Sequence, residues 1–291
     1  MAFLLELMLW YPSTLGARND EKTSDATHTS IWISLVAGVL LTVIGIVFSK
    51  PLLRLMSTPE KLLPLSSLYM KIYFAGIIFT LIYDFGTAIL RSSGDTKRPL
   101  YFLALAGGLN VILNLLFVIV FQMSVAGVAL ATVISQGVSA VLTIKTLMNE
   151  TNATKLYFSK LKLDIATGKE IMMIGIPAGI QGLVFSFSNV VVQSGINSFN
   201  EANLIAGNSA ALNLENFVYI GMDSFNKATA TFTAANVGSG NYRQIKKILW
   251  LTMLLDVGSG LLISSVIYMN GSAFLGFYTN SMDVVSYGMY R

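Results

Sequence analysis

The sequence predicts an all-α membrane protein, a polytopic helical bundle with seven spans, and three observations carry that reading. Hydrophobic residues make up 54% of the 291-residue chain and charged residues only 12%, against roughly 25% charged in soluble domains. Mean hydropathy is +0.66. The apolar residues also fall into seven runs separated by short polar turns, each near or above the ~20 residues that cross a bilayer. Runs of that length at that charge density call for lipid around them, because helices satisfy their own backbone where water is absent.

The same composition excludes several classes. The net charge of +4 and pI near 9.1 would suit nucleic acid, but the cations lie between apolar runs and form no stripe with stacking aromatics. Cysteine is absent and His28 is the one histidine, so neither thiolate chemistry nor a histidine-ligated metal site is available. HExxH, GxSxG and P-loop patterns are missing, so no enzyme and no ATP drive is read here. No cofactor is expected.

The seven spans are expected near 30–50, 63–91, 99–121, 124–147, 170–198, 203–236 and 246–270. Lys and Arg concentrate on alternate sides of them. Arg18, Lys22, Arg91, Lys97, Arg98, Lys145, Lys155, Lys160, Lys162, Lys169, Arg243, Lys246 and Lys247 fall on one side, which the positive-inside bias makes cytoplasmic. The turns at 121–124 and 197–203 carry none. The 50–64 loop is the exception, with Lys50, Arg54 and Lys61. The balance puts the N-terminus inside and the C-terminus outside, in a bacterial plasma membrane.

Four regions follow: a cytoplasmic N-terminal segment at 1–29, a four-span part at 30–148, a linker at 149–169 and a three-span part at 170–291. The linker alternates apolar residues with lysines and reads as a short amphipathic helix on the inner membrane surface. A weak repeat relates the two parts. Shifting by about 222 residues lays Leu15–Asn19 on Val237–Asn241, Gly38 on Gly260 and Leu52-Leu53 on Phe274-Leu275. Six spans separate the copies, so both run the same way, as in a parallel repeat about the membrane normal.

Residues 90–100, LRSSGDTKRPL, hold Arg91, Gly94, Asp95, Thr96, Arg98 and Pro99 in a helix stop, turn and restart. With Asn110, Asn114 and the GVALATVISQ of 127–136, this stretch resembles the first lobe of the multidrug and toxic compound extrusion (MATE) family. GIPAGIQ at 175–181, AGNSAALNLENF at 206–217 and the turn at 238–247 resemble the start of its second lobe. The resemblance runs from about Leu15 to the C-terminus. It implies a two-lobed, pseudo-two-fold (6+6) transporter, of which the chain matches the third to ninth helices and so looks like a fragment.

What the resemblance implies about function is a secondary transporter. It would export lipophilic or cationic drugs and toxic compounds by alternating access, coupled to H+ or Na+, as a monomer with the lipid bilayer and small organic substrates as partners. A lipid-linked oligosaccharide flippase of the same superfamily and an inactive truncated product are the alternatives. An intramembrane aspartyl protease would need Tyr83-Asp84 and Gly94-Asp95 to face each other, and Asp95 belongs to a cytoplasmic turn. Family cation-binding acids lie on the first helix in one branch and on the seventh and tenth in another. Gln181 stands on the seventh here, so that site does not carry over.

Charge at the bilayer centre costs ~2.5–3.5 kcal/mol per residue on insertion scales, so each acid in a span needs a partner or a purpose. Glu215, Tyr219, Asp223 and Lys227 recur every four residues and share one helix face. Glu215 either holds a coupling cation or proton, or belongs to a neutralised packing seam. Asp223 and Lys227 read first as an ion pair that satisfies itself, with Asp223 a further coupling candidate. Asp84 reads first as a partner for Arg91, and otherwise as a titrating acid where the family more often has an amide. Asp256 falls where the repeat has Ser34, and suits coupling or interhelical hydrogen bonding.

Gln181, Asn189, Gln193 and Asn197 line the fifth span, a polar stripe that with Tyr219 suits an organic cation or interhelical amide bonds. Gly127, Ala131, Ser135 and Ser139 form a small-residue ridge that reads as packing.

Overall fold

A computed structural model describes residues 20–55, 60, 63–199, 201–238 and 240–290. Residues 1–19 of the expected N-terminal segment 1–29, Lys61, and the 15–19 half of the repeat's opening turn lie outside them. Every regular element among the described residues is helical. The chain forms two compact units that divide after Ala178.

In the first unit, α1 (Asp20–Leu55) opens on Asp20 and Glu21, which suit the positive helix start. Next come α2 (Leu63–Ala75) and α3 (Ile77–Ser92), one bent span with a 45° break at Gly76. The Val133 side chain occupies the space where a Gly76 Cβ would stand, 2.4 Å away, so only glycine lets the bend press against its neighbour. α4 (Lys97–Leu115) runs on into a π-helical turn (Leu116–Val120), and α5 (Ser124–Asn149) returns antiparallel to it.

Ala26, Ile31, Phe85, Ala88, Ile89, Leu90, Leu147 and Leu156 form the core of this unit. They gather at the end nearest the α3–α4 loop. Toward the other end α1 exposes Val39, Leu40, Val43 and Val47, an apolar belt that suits contact with lipid. The ridge of Gly127, Ala131, Ser135 and Ser139 is buried throughout.

The segment after α5 departs from expectation. In place of an amphipathic helix it holds one 3-10 turn, Phe158–Lys160, with extended backbone on either side. Tertiary contacts outweigh the periodicity: Leu156 is buried in the core, and the Asp164 N–H donates to Thr29 Oγ1 at 3.1 Å. The linker is therefore a strap laid over the start of α1. α6 (Ile165–Ser198) follows and crosses the division between the units.

The second unit is built on α7 (Ala202–Gly238) and α8 (Arg243–Met269), a long antiparallel hairpin, with α9 (Gly271–Gly276) and α10 (Met282–Met289) folded back onto it. Ala210, Leu214 and Leu275 form its core. A Cβ on Gly207 would come within 2.6 Å of the Val284 carbonyl oxygen, so α7 and α10 meet backbone to backbone. The Tyr287 hydroxyl donates to Glu201 Oε1 at 2.6 Å, fastening the far end of α10. That bond holds the phenol's pKa above its ordinary value.

The expected count of seven spans needs one qualification. Among the described residues five helices are long and apolar enough to cross a membrane, or six if the bent α2–α3 pair is one span. The seventh stretch is a helix of 37 residues, but Asn203, Asn208, Asn213, Glu215 and Asn216 interrupt its apolar run. A helix polar along part of its surface suits contact with protein or a water-filled space more than lipid.

Candidate functional site

The Arg91–Pro99 loop is built as a helix cap at each end. Gly94 takes a φ of +89°, the left-handed conformation that ends α3 without a side-chain clash. The Asp95 N–H donates to the Leu90 carbonyl and the Gly94 N–H to that of Arg91, which is a Schellman closure. Asp95 Oδ1 then accepts the backbone N–H groups of Lys97 and Arg98, at 3.2 and 3.1 Å, and so caps α4. The Arg98 guanidinium bridges the carboxylates of Asp95 and Glu150, tying the loop to the end of α5. Asp95 is therefore committed to structure, which removes the aspartyl-protease arrangement.

The favoured partner of Asp84 needs correcting. Three ion pairs form among the described residues, Arg98–Asp95, Arg98–Glu150 and Lys227–Asp223, and Asp84–Arg91 is not one of them. Seven residues along one helix is ~10.5 Å of rise, more than the two side chains close here. Beside this loop the Tyr83 hydroxyl donates to the Pro99 carbonyl at 3.3 Å.

A polar network that the sequence reading does not name as a site joins α4 to α5 in the first unit. Asn114 Nδ2 donates to Asn110 Oδ1 at 3.0 Å, and Asn110 Nδ2 donates to Thr132 Oγ1 at 3.4 Å. Asn114 Oδ1 and Gln136 Oε1 are buried acceptors with no donor. The signal available beforehand was the i,i+4 spacing of Asn110 and Asn114 on α4, with Thr132 and Gln136 equally spaced on α5.

In the second unit two side-chain contacts join α6 to α7. Phe185 stacks on Tyr219 with ring centroids 6.3 Å apart, and Asn208 Nδ2 donates to Gln193 Oε1 at 3.0 Å. Gln181 and Asn189 stand one turn either side of Phe185 on α6, and Asp223 and Glu215 one turn either side of Tyr219 on α7; Gln181, Asn189 and Glu215 are exposed. Asn197 lies in α6, and its side chain is outside what the structure describes.

Two cavities open between α7 and the elements packed on it. Glu215 lines one of about 240 Å³ with Ser264 and Tyr268 of α8. Tyr219, Asp223, Asn226, Thr252 and Asp256 line the other, of about 350 Å³. Lys227 pairs with Asp223 within one helical turn. Asp256 Oδ1 is buried without a hydrogen-bond partner, the costly state for a carboxylate oxygen. Among the described residues no group of three His, Cys, Asp or Glu side chains could hold a metal ion.

Apolar spans, with acids bordering open cavities on α7 and α8, define a multi-pass membrane protein. The MatE family model matches residues 12–116 and 177–290, and the chain belongs to that family. It is similar to the probable multidrug resistance protein YpnP of Bacillus subtilis (strain 168), 28% identical over 292 residues, covering 95% of this chain and 63% of that protein. The FAD transporter of Shewanella oneidensis is 24% identical over 243 residues, covering 82% of this chain and 54% of the relative. Among solved structures, the outward-facing conformation of a multidrug resistance MATE family transporter of the MOP superfamily matches with a TM-score of 0.86 at 19% identity. It covers 99% of this chain and 65% of that one. The chain thus spans less than two thirds of the length of these relatives.

Proposed function

We propose that the chain forms part of a secondary transporter that exports lipophilic or cationic organic compounds by alternating access, coupled to inward movement of H+ or Na+. The observation that carries this reading is the Phe185–Tyr219 stack between α6 and α7, with amides one turn away along α6 and acids one turn away along α7. Aromatic faces hold organic cations, amides orient polar substituents, and the acids supply countercharge. Membership of the MatE family and relatives named multidrug resistance proteins support it. The orientation that goes with it has the Arg91–Pro99 loop on the cytoplasmic face of a bacterial inner membrane, with the transporter acting as a monomer.

Coupling falls to Glu215 and Asp256, with Asp84 a third acid in the first unit and Asp223 engaged with Lys227. A bound cation shifts the alternating states only by its difference in affinity for them, so the coupling acid must change surroundings between states. Everted vesicles carrying the chain, loaded with a fluorescent cationic dye, test the reading. Dye movement that collapses when the H+ and Na+ gradients are dissipated is expected. Movement indifferent to both gradients overturns coupled export, and unchanged coupling in Glu215→Gln removes Glu215 from the role.

The relative named an FAD transporter favours one further substrate class, a flavin dinucleotide. Competition between FAD and the dye in the same vesicles separates the two.

A further inference from the structure

Basic side chains gather at both ends of the bent α2–α3 span. At one end Arg98 is held by Asp95 and Glu150. At the other, Lys50 and Arg54 of α1 and Lys71 of α2 line a single cavity of about 340 Å³ together with Glu60 and Ser67. None of these three cations takes part in an ion pair among the described residues, and all three are exposed.

Ordinary causes account for only part of this cluster. Arg54 lies in the last turn of α1, where a cation suits the helix dipole. Lys50, four residues earlier on the same face, sets like charges side by side, which disfavours the helix. Lys71 lies eight residues past the start of α2, ~12 Å along its axis, and no helix terminus calls for it. Positive-inside bias favours cations on one side of a membrane only. A span with cations at both ends therefore has one cluster that this bias leaves unexplained.

We propose that the Lys50–Arg54–Lys71 cavity binds a phosphate-bearing anion, either the headgroup of an anionic phospholipid or free phosphate. Among the described lining residues three cations stand against one carboxylate, a net charge of +2. Arginine presents its donors as a fork that matches phosphate oxygens, and the two lysines add point charges from adjoining helices. Leu63, Pro64 and Leu68 supply an apolar wall, which suits the glycerol and first acyl carbons of a lipid. The site is separate from the Phe185–Tyr219 stack and stands whether or not the transport reading holds.

Native mass spectrometry of the full chain in detergent, titrated with phosphatidylglycerol or phosphatidylcholine, tests the proposal. Phosphatidylglycerol should bind more tightly than phosphatidylcholine. Lys50→Gln, Arg54→Gln and Lys71→Gln together should weaken it at least about tenfold. Lys71→Arg, which keeps the charge, should retain binding and guards against misfolding of the triple variant. Displacement by millimolar inorganic phosphate would assign the site to free phosphate, and persistence would assign it to the headgroup. Equal binding of the two lipids, or phosphatidylglycerol binding unchanged in the triple variant, overturns it.

Discussion

The backbone N–H of Tyr157 donates to His28 Nε2 at 3.0 Å, and the rings of the two residues stack with centroids 6.4 Å apart. Because Nε2 accepts, the ring proton lies on Nδ1, which donates to the Ser24 carbonyl at 2.7 Å. His28 is 3% exposed, so its imidazole fixes the linker strap to α1 from inside. Lys155 and Lys160 hold their ammonium groups 5.3 and 5.2 Å from the Tyr157 ring centroid, adding cation–π support on the outside.

His28→Phe keeps the stack and removes both side-chain hydrogen bonds, leaving the Tyr157 N–H without its acceptor while the Ser24 carbonyl keeps the backbone N–H of the next helical turn. Each unsatisfied buried group costs about 1–3 kcal/mol, so the strap should loosen by that order. The chain has no cysteine, so a single Ser159→Cys reports the change directly. Its maleimide labelling should be faster in the His28→Phe background. An unchanged labelling rate would mean that Leu156 and the Asp164–Thr29 bond hold the strap without His28.

The other end of the strap gives a pH dependence. Asp164 accepts the Thr167 backbone N–H at 2.7 Å and caps α6. That bond first, then one from the Thr167 side chain, holds the Asp164 carboxyl below the usual carboxylate range. With the folded pKa lowered, the capping contribution is complete above the ordinary value near 3.9 and is lost as pH falls through the folded one. Hydrogen exchange at the Thr167 amide, corrected for intrinsic rate, should therefore quicken in acid and be constant near neutrality. Asp164→Asn keeps an acceptor and should remove the acid dependence.

Gly207 offers a packing test in the second unit. A methyl group there meets the Val284 carbonyl oxygen at 2.6 Å and the Gly288 nitrogen at 2.9 Å. Both are backbone atoms, so no rotamer change relieves the clash and α10 has to move away. Gly207→Ala should destabilise the unit by about 1–3 kcal/mol and break the Tyr287–Glu201 bond. Lower thermal stability in detergent, with increased protease cleavage near 282–289, is the expected result. Gly258, with nothing near its Cβ position, is the matched control, and alanine there should leave both readouts unchanged.

The legible and illegible features differ in range. The Asp223–Lys227 pair and the buried small-residue ridge of α5 follow from helical spacing alone, as do six of the expected spans. What the sequence hid depends on contacts between distant segments. The linker's lysine alternation resembles an amphipathic helix until Leu156 and His28 dock it 129 residues from Tyr157's partner. Asp84 and Arg91 share a face, yet two turns of helix separate them. The Lys50–Lys71 cavity needs α1 and α2 side by side before its cations converge.

Asp256 allows stability and transport to be separated. Its Oδ1 is buried without a donor beside Asp223, Asn226 and Thr252. Asp256 is half-buried with one oxygen lacking a donor, and its neutral isostere removes the desolvation cost of the charge on that oxygen. A purely structural aspartate would be retained for its bonds, and Asp256→Asn would then lower stability. If Asp256 holds the coupling ion, Asp256→Asn should instead leave the fold equally or more stable while abolishing gradient-driven dye movement. Thermal unfolding in detergent and everted-vesicle efflux, measured on the same preparation, decide between these outcomes. Lost stability with retained coupling would return Asp256 to a structural role and leave Glu215, in the neighbouring cavity of about 240 Å³, as the acid that couples.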